Sequence, residues 1–271
     1  MVAEKRVSFS FGKNWEQFLK SVKDENRRAA ELSLTEFLSM HDLRGKTFLD
    51  VGCGSGLFSL AAFSLGAERI VSFDVDPYSV SCCRFLRERE NDPENWIVLE
   101  GSVLDHEFIS SLGSFDIVYA WGVLHHAGRM WEAVRNAATL VDREGYYYLA
   151  LYNRKTGRFG SEFWLEVKKL YNASPRPGKY MIEVIYMSIF FAMQLARLKN
   201  PLARIKNYSS NRGMNWRRDV VDWLGGYPYE FAAAEDVRDF IKKHFPNFNQ
   251  AKIEPAIGRG MNSFLFVNGP S

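Results

Sequence analysis

The sequence predicts an α/β fold in which seven strands form a mostly parallel sheet with helices on both faces. Strand and helix signals alternate along residues 46–153, which is the order typical of parallel sheets. A glycine-rich turn follows the first of these strands, as in folds that bind a ligand beyond the carboxyl ends of their strands. A helical stretch at 154–228 interrupts the alternation, and two more strand signals close the chain.

The first strand, 48–51, is a short apolar run, and the glycine turn follows it directly. Segment 50–56 reads D-V-G-C-G-S-G, and glycine lets a backbone turn with positive φ and lets a ligand approach it. A helix is expected over 57–65, closed by Gly66. A dinucleotide loop would have its third glycine at Leu57, and a phosphate loop would end in Gly-Lys-Ser/Thr, so neither motif fits. A tight turn without a ligand is the alternative interpretation.

Two later strands end in residues suited to a binding site. Strand 70–73 leads into Asp74, and an acidic side chain there can accept hydrogen bonds from both hydroxyls of a ribose. Strand 115–121 leads into His125 and His126. Because parallel strands end at the same edge of a sheet, these side chains are expected near the glycine turn.

The remaining elements follow from apolar spacing and capping residues. Asp76 is expected to cap a helix that begins at Pro77, and Asp105 is expected to cap the next one. The further strands expected are 96–99, 145–151, 251–254 and 263–267, and the helices expected are 24–40, 57–65, 77–90, 106–111, 130–141, 163–171, 180–198 and 234–244.

Four motifs in this order resemble those of class I S-adenosylmethionine-dependent methyltransferases: D-x-G-x-G-x-G at 50–56, Asp74, segment 100–105, and segment 115–126. The resemblance implies a Rossmann-like class I methyltransferase fold that ends in a hairpin with an antiparallel last strand, and it implies S-adenosyl-L-methionine as the cofactor. It departs from the family at Ser102, where many members have an Asp. The cofactor-binding residues implied are Asp50, Gly52, Cys53, Gly54, Gly56, Asp74, Val75, Ser102, Val103 and Trp121.

A second motif, D-W-L-G-G-Y-P-Y-E at 222–230, resembles a segment of the type 11/12 methyltransferase group. The predicted organisation therefore has four parts. They are an N-terminal helical cover at 1–45, a cofactor-binding core at 46–153, a helical basic and aromatic cap insertion at 154–228, and a C-terminal helix and strand hairpin at 229–271 that completes the core.

Methyl transfer to an oxygen acceptor needs a group that removes the proton of the acceptor, and a histidine can do this. His126 is the preferred base and His125 the second candidate; the alternative is a histidine that bonds only to backbone at the strand end. Weaker candidates for the acceptor site are Tyr152, Asn153, Arg212, Trp216, Tyr227, Tyr229 and Glu230, for which packing or surface pairing is the alternative. No metal site is predicted, since Cys53, Cys82 and Cys83 lack metal-ligand spacing.

The charge is unevenly distributed around a net +3. Residues 154–218 contain 14 Lys and Arg against 3 Asp and Glu, a net +11, and the rest of the chain carries a net −8. Such a basic block favours an anionic partner, which could be a phosphate, a nucleic acid or a membrane surface. A solvated surface whose lysine stems cover apolar side chains is the alternative.

No run of 18 uncharged apolar residues occurs, so no transmembrane helix is predicted. The apolar helix at 180–198 is interpreted as a buried cap helix, too short and interrupted to span a bilayer, with a membrane-surface or lipid-tail site as the alternative. Residues 1–10 lack the apolar core of a signal peptide, and the three cysteines are expected to be free thiols. Both observations favour a cytoplasmic protein.

The sequence therefore predicts a methyltransferase acting on a small-molecule or lipid-linked acceptor, at oxygen. The first alternative is an RNA (tRNA) methyltransferase that uses the basic insertion, although no N-P-P-Y-type motif follows strand 115–121. The second alternative is a non-catalytic protein that keeps the cofactor fold.

Overall fold

The computed structural model describes residues 24–198, 200, 205, 216–256 and 260–269. A single seven-stranded sheet forms the centre, in the order β3-β2-β1-β4-β5-β7-β6. The strands are β1 Thr47–Val51, β2 Arg69–Asp74, β3 Trp96–Glu100, β4 Phe115–Trp121, β5 Val141–Tyr152, β6 Phe248–Glu254 and β7 Met261–Asn268.

Nine α-helices lie within these described ranges. They are α1 Asp24–Leu38, α2 Leu57–Ser64, α3 Pro77–Arg89, α4 His106–Ser111, α5 Met130–Ala138, α6 Ser161–Ala173, α7 Arg176–Ala196, α8 Trp216–Gly225 and α9 Ala234–His244. A short 3-10 turn, Leu124–His126, follows β4.

The first five strands are parallel, and β7 pairs antiparallel with both β5 and β6. The seven-stranded α/β fold and the terminal hairpin are thereby confirmed. Apolar side chains fill both faces of the sheet because most strand positions are buried, which is typical of parallel strands covered by helices. One face packs against helices α1 to α3, and the other packs against α5 and α9.

Several predicted boundaries were wrong. Strand β5 begins at Val141, before the expected residue 145, and helix α5 ends at Ala138, before the expected residue 141. The helix expected to begin at residue 180 begins at Arg176, so Pro177 and Gly178 lie inside the first turn of α7. Proline is tolerated there because the first helical N–H groups have no partner within the helix.

Helices α6, α7 and α8 form a separate apolar cluster above the carboxyl edge of the sheet, centred on Trp164, Tyr171 and Leu224. The interpretation of α7 as a buried helix was wrong, since only Glu183 and Gln194 are buried along it. The helix is also longer than expected, since it has 21 residues and begins at Arg176 instead of residue 180. Among the described residues, α7 is the one helix long and apolar enough to cross a membrane by length and composition.

Candidate functional site

The glycine turn after β1 is held by backbone hydrogen bonds to the neighbouring strand. The N–H groups of Gly52 and Cys53 both donate to the carbonyl of Phe73, at 2.8 and 3.0 Å. Gly52 has a φ of +72°, and a Cβ built on it would lie 2.2 Å from Cγ2 of Val123. The turn therefore has room for glycine alone at this position, and the backbone approaches the loop after β4 closely.

Asp74 lies at the end of β2, beside this turn. Its Oδ2 accepts from the N–H of Gly54 at 3.0 Å, and its Oδ1 accepts from the N–H of Asp76 at 2.9 Å. Burial raises the pKa of the Asp74 carboxyl, and the two backbone donors oppose that shift. Asp76 caps α3 as predicted, because its side chain accepts from the N–H of Tyr78. Asp74 is thus fixed at the ligand side of the turn.

Asp50 occupies a different environment, beneath the turn and away from solvent. Its Oδ2 accepts from the hydroxyl of Ser59 at 2.5 Å, the Ser72 hydroxyl donates to Ser59 at 2.7 Å, and the Trp96 indole donates to Ser72 at 2.9 Å. Burial raises the pKa of Asp50 to about 7. The structure therefore gives Asp50 a place in a buried hydrogen-bond chain that anchors α2 to β1, β2 and β3. Sequence reasoning did not identify Ser59, Ser72 or Trp96.

The rim of the site has exposed side chains on two strand ends. Val75 is 67% exposed after β2, and Trp121 is 41% exposed at the end of β4. Ser102 makes a local turn, since its hydroxyl oxygen accepts from the N–H of Leu104, and Val103 is buried. Next to Ser102 is an open depression of about 550 Å³, lined also by Leu104, Asp105, Ala127 and Arg129.

These residues fit the nucleoside cofactor that the motifs imply. The glycine turn presents its backbone closely, Asp74 supplies a carboxylate at the strand end, and Val75 offers an exposed apolar surface for a base. A nucleoside needs all three features: close backbone approach, an acceptor for ribose hydroxyls and an apolar contact. No group of three potential metal-ligand side chains occurs among the described residues.

The two predicted histidines are adjacent in sequence but differ in environment. His125 is fully buried, and its Nδ1 accepts from the N–H of Tyr152 at 3.3 Å. His126 is half-buried, and its Nδ1 lies 2.5 Å from the carbonyl oxygen of Pro228. Burial lowers the pKa of His125 well below its usual range and lowers that of His126 to about 4. His125 is therefore enclosed by the protein, and His126 lies closer to the surface of the site.

A buried lysine lies beneath the same histidines, and sequence reasoning missed it. Lys168 of α6 donates to the backbone carbonyl of Trp223, and its ammonium lies 4.2 Å from the centre of the Trp223 ring and 4.9 Å from that of Tyr229. Burial lowers its pKa to about 7, against the opposing attraction of Asp222. Its positive charge also lowers the pKa values of both histidines. No local signal marks Lys168, because surface lysines are common on amphipathic helices.

The structure separates the predicted acceptor residues into two groups. Tyr152 and Tyr229 lie at the histidines: the ring of Tyr152 is 4.0 Å from that of His125 and 5.1 Å from that of Tyr229. Asn153 bonds to Asn262, and Glu230 accepts twice from the N–H of Met130 at the start of α5.

The remaining three acceptor candidates are Trp216, Tyr227 and Arg212. Trp216 packs on Phe190 of α7, with ring centres 5.1 Å apart. Tyr227 precedes Pro228, and Arg212 lies outside the described residues. The structure therefore brings together Tyr152, Tyr229 and the histidines, which form one wall near the carboxyl edge of the sheet.

Comparison with known proteins identifies the central part of this site. Residues 49–149 match a protein family described as "Methyltransferase domain". The chain carries a class I S-adenosylmethionine-dependent methyltransferase domain. S-adenosyl-L-methionine is the cofactor of this domain, and the match covers the glycine turn, Asp74 and the histidine segment.

Solved structures share the fold of this methyltransferase domain over nearly the whole chain. Magnesium protoporphyrin IX methyltransferase from Synechocystis PCC 6803, with bound SAH, aligns at a TM-score of 0.55 with 13% identity, covering 95% of this chain and 94% of its own. A chain of the complex between the Haloferax volcanii Trm112 methyltransferase activator and the putative methyltransferase aligns at 0.53 with 13% identity, covering 97% and 100%. At such identities the likeness concerns the fold.

Some curated relatives match a short part of the chain. Ribosomal protein L11 methyltransferases from Tolumonas auensis and Photobacterium profundum are 47% and 46% identical over 54 residues. Those residues are 20% of this chain and 18% of each relative, so less than a fifth of the length of these relatives is covered.

Proposed function

We propose that this protein transfers the methyl group of S-adenosyl-L-methionine to an oxygen atom of a small-molecule or lipid-linked acceptor, with His126 as the base. The observation that carries the proposal is the contact of 2.5 Å between Nδ1 of His126 and the carbonyl oxygen of Pro228. A carbonyl can only accept a hydrogen bond, so Nδ1 carries the proton of the neutral ring. The basic lone pair of His126 is then on Nε2.

The environment of His126 supports this role. Burial and the charge of Lys168 lower its pKa to about 4, so the imidazole is neutral at physiological pH and can accept a proton. The contact with Pro228 holds the ring in one orientation, which is the function of a third group in many base-activated sites. His125 is excluded from solvent and supports the wall through Tyr152.

The chemistry assigned to the chain is mainly positional. Bound S-adenosyl-L-methionine supplies an electrophilic sulfonium methyl, and the glycine turn and Asp74 would hold its nucleoside end. Tyr152 and Tyr229 would contact the acceptor, and His126 would remove the proton from the acceptor oxygen as that oxygen attacks. Alignment of two reactants in one site can by itself provide a large part of the rate enhancement, on the order of 7–11 kcal/mol.

The test compares His126→Gln with His106→Gln, an exposed histidine on α4. Titration calorimetry with S-adenosylhomocysteine should give the same affinity for both variants. Methyl transfer to an alcohol or phenol acceptor found by screening should fall roughly 100-fold or more in His126→Gln alone, the range typical of general bases. Unchanged turnover in His126→Gln would reject the base, and tight cofactor binding without turnover on any acceptor would favour the non-catalytic alternative.

RNA is the second candidate acceptor, and the observation that favours it is the net +11 of residues 154–218. An RNA substrate would bind through phosphates, so its affinity would fall steeply with salt. Filter binding of bulk tRNA at two salt concentrations separates the two proposals. A steep salt dependence together with methylation of tRNA would replace the small-molecule acceptor by RNA.

A further inference from the structure

Helix α7 carries apolar side chains both on the face that meets the protein and on the face turned away from it. On the inner face Glu183 and Gln194 are buried, and Ile182, Tyr186 and Met187 pack against the apolar cluster of the cap. The opposite face is apolar and exposed: Met181 is 60% exposed, Ile185 is 51% and Ile189 is 55%. A helix of a water-soluble protein normally turns its apolar stripe inward, so this arrangement indicates that the outer face meets something other than water.

The exposed residues form one continuous stripe. Met181, Ile185 and Ile189 follow one another at intervals of four residues, and Val184 and Met193 lie beside them on the same side. No Asp, Lys or Arg occurs between residues 180 and 196, and the one Glu is on the buried face. At 1.5 Å per residue, the stripe from Met181 to Met193 is roughly 18 Å long.

Apolar packing and the polar contacts of Glu183 both attach the inner face of the helix to the cap. Oε1 of Glu183 accepts from the hydroxyl of Tyr171 on α6 at 2.7 Å, and Oε2 lies 4.0 Å from the guanidinium of Arg217 on α8. These bonds set the rotation of α7, so that the apolar stripe points away from the protein. A helix held in this way lies along a surface, whereas a spanning helix would expose Glu183 to the bilayer interior.

The sequence around α7 is strongly basic. Residues 172–216 contain seven Lys and Arg and one acidic residue, the buried Glu183. Arg176 and Lys179 precede the stripe, and Arg197 follows it. An apolar helix face with basic residues at both ends is the pattern of helices that lie in the headgroup region of anionic membranes. A second copy of this chain would bring the same positive charges together, which disfavours a dimer through this face.

We propose that the outer face of α7 docks this protein on the surface of an anionic phospholipid bilayer. The apolar stripe inserts among the acyl chains near the headgroups, and the flanking basic residues contact lipid phosphates. Docking does not require methyl transfer, because it can be measured without S-adenosyl-L-methionine or an acceptor. It would place the cap, and the wall formed by Tyr152 and Tyr229, beside a lipid phase.

The test measures co-sedimentation of the full chain with vesicles of phosphatidylcholine, with and without phosphatidylglycerol. The variant is Ile185→Glu/Ile189→Glu. The matched control is Leu32→Glu/Phe85→Glu, which changes two apolar residues of similar exposure, 59% and 46%, on helices α1 and α3. All four substituted positions in the two variants are exposed. Circular dichroism and thermal unfolding would verify that each variant is folded.

We expect wild type and control to bind vesicles that contain phosphatidylglycerol, more weakly as salt is added. The α7 variant should bind roughly tenfold less or worse, since it loses the insertion of two large apolar side chains. Equal binding by both variants, or no binding of the wild type to either vesicle, would overturn the proposal. Light scattering provides a further test. If the wild type were a dimer that Ile185→Glu/Ile189→Glu converts to a monomer, and no vesicle binding occurred, the proposal would also be overturned, since the face would then be a protein interface.

Discussion

The carboxylate of Asp74 accepts the backbone N–H of Gly54 at 3.0 Å, so the end of β2 holds the middle of the glycine turn after β1. The same carboxylate accepts from the N–H of Asp76, at the start of α3. One side chain therefore organises the turn and the entry to the following helix. This couples the shape of the cofactor site to the charge state of Asp74.

The first prediction concerns this side chain. Asp74→Ala removes a carboxyl acceptor, and hydrogen bonds to charged groups contribute about 1.5–3 kcal/mol each, so the affinity for S-adenosylhomocysteine should fall roughly 10- to 100-fold. Titration calorimetry measures the change. Asp76→Ala is the matched control, because it removes the side chain that caps α3, which should lower the free energy of unfolding by about 1 kcal/mol and leave the affinity nearly unchanged. Equal loss of affinity in both variants would contradict a direct role for Asp74.

A second prediction uses two glycines with similar backbone angles. Gly52 and Gly113 have φ values of +72° and +76°, but a Cβ on Gly52 would meet Val123 at 2.2 Å, whereas one on Gly113 would meet nothing within 4 Å. Gly113→Ala should lower the free energy of unfolding by about 1–2 kcal/mol through backbone strain alone. Gly52→Ala should lower it further and weaken cofactor binding.

Urea unfolding of both variants tests this comparison. Adding Val123→Ala to Gly52→Ala should recover part of the stability, because Cγ2 of Val123, the nearest atom at 2.2 Å from the new Cβ, is then removed. If the two single variants lost the same stability, steric contact with Val123 would have no role.

The third prediction follows from the pH behaviour of Asp50. Its pKa is raised to about 7 in the folded protein, from 3.8 for an ordinary Asp, so the folded state binds more protons than the unfolded state between these values. Asp50 therefore lowers the stability as the pH rises from about 4 to about 7. Asp50→Asn should gain stability relative to the wild type as the pH increases through this range. A stability difference independent of pH, measured by urea unfolding at several pH values, would show that Asp50 titrates normally.

A fourth prediction concerns His126, whose contribution has the opposite sign. The folded pKa of about 4 lies below the usual 6.5, so the unfolded state binds more protons between these values. The wild type should lose stability as the pH falls from about 6.5 to about 4, by at most about 3 kcal/mol at 1.36 kcal/mol per pKa unit. The His126→Gln variant should lose less stability than the wild type over the same pH range. Unfolding at pH 5 and at pH 7.5 would measure both slopes, and parallel slopes would mean that His126 remains accessible to protons in the fold.

Much of the cofactor-binding core, residues 46–153, could be predicted from the sequence because its signals are local. Asp76 and Asp105 cap helices where a short polar residue precedes a helical pattern, and both were found in that role. The cap formed by helices α6, α7 and α8 was harder to predict. The pattern of α7 indicates an apolar helix, yet the direction of its apolar face depends on Glu183 meeting Tyr171 from another helix. Lys168 gave no signal, because a lysine on a helix is normally solvated and only the packing of Trp223 and Tyr229 buries it.

By itself, the sequence determined the order of strands and helices in the core, the glycine turn and the position of Asp74 at a strand end. These properties depend on backbone preferences and on apolar periodicity, which neighbouring residues specify. Only the tertiary structure decided which histidine is buried, how Asp50 is bonded and which face of α7 is exposed. Those outcomes depend on contacts between residues far apart in the chain, where burial and partner geometry set the energy of each polar group.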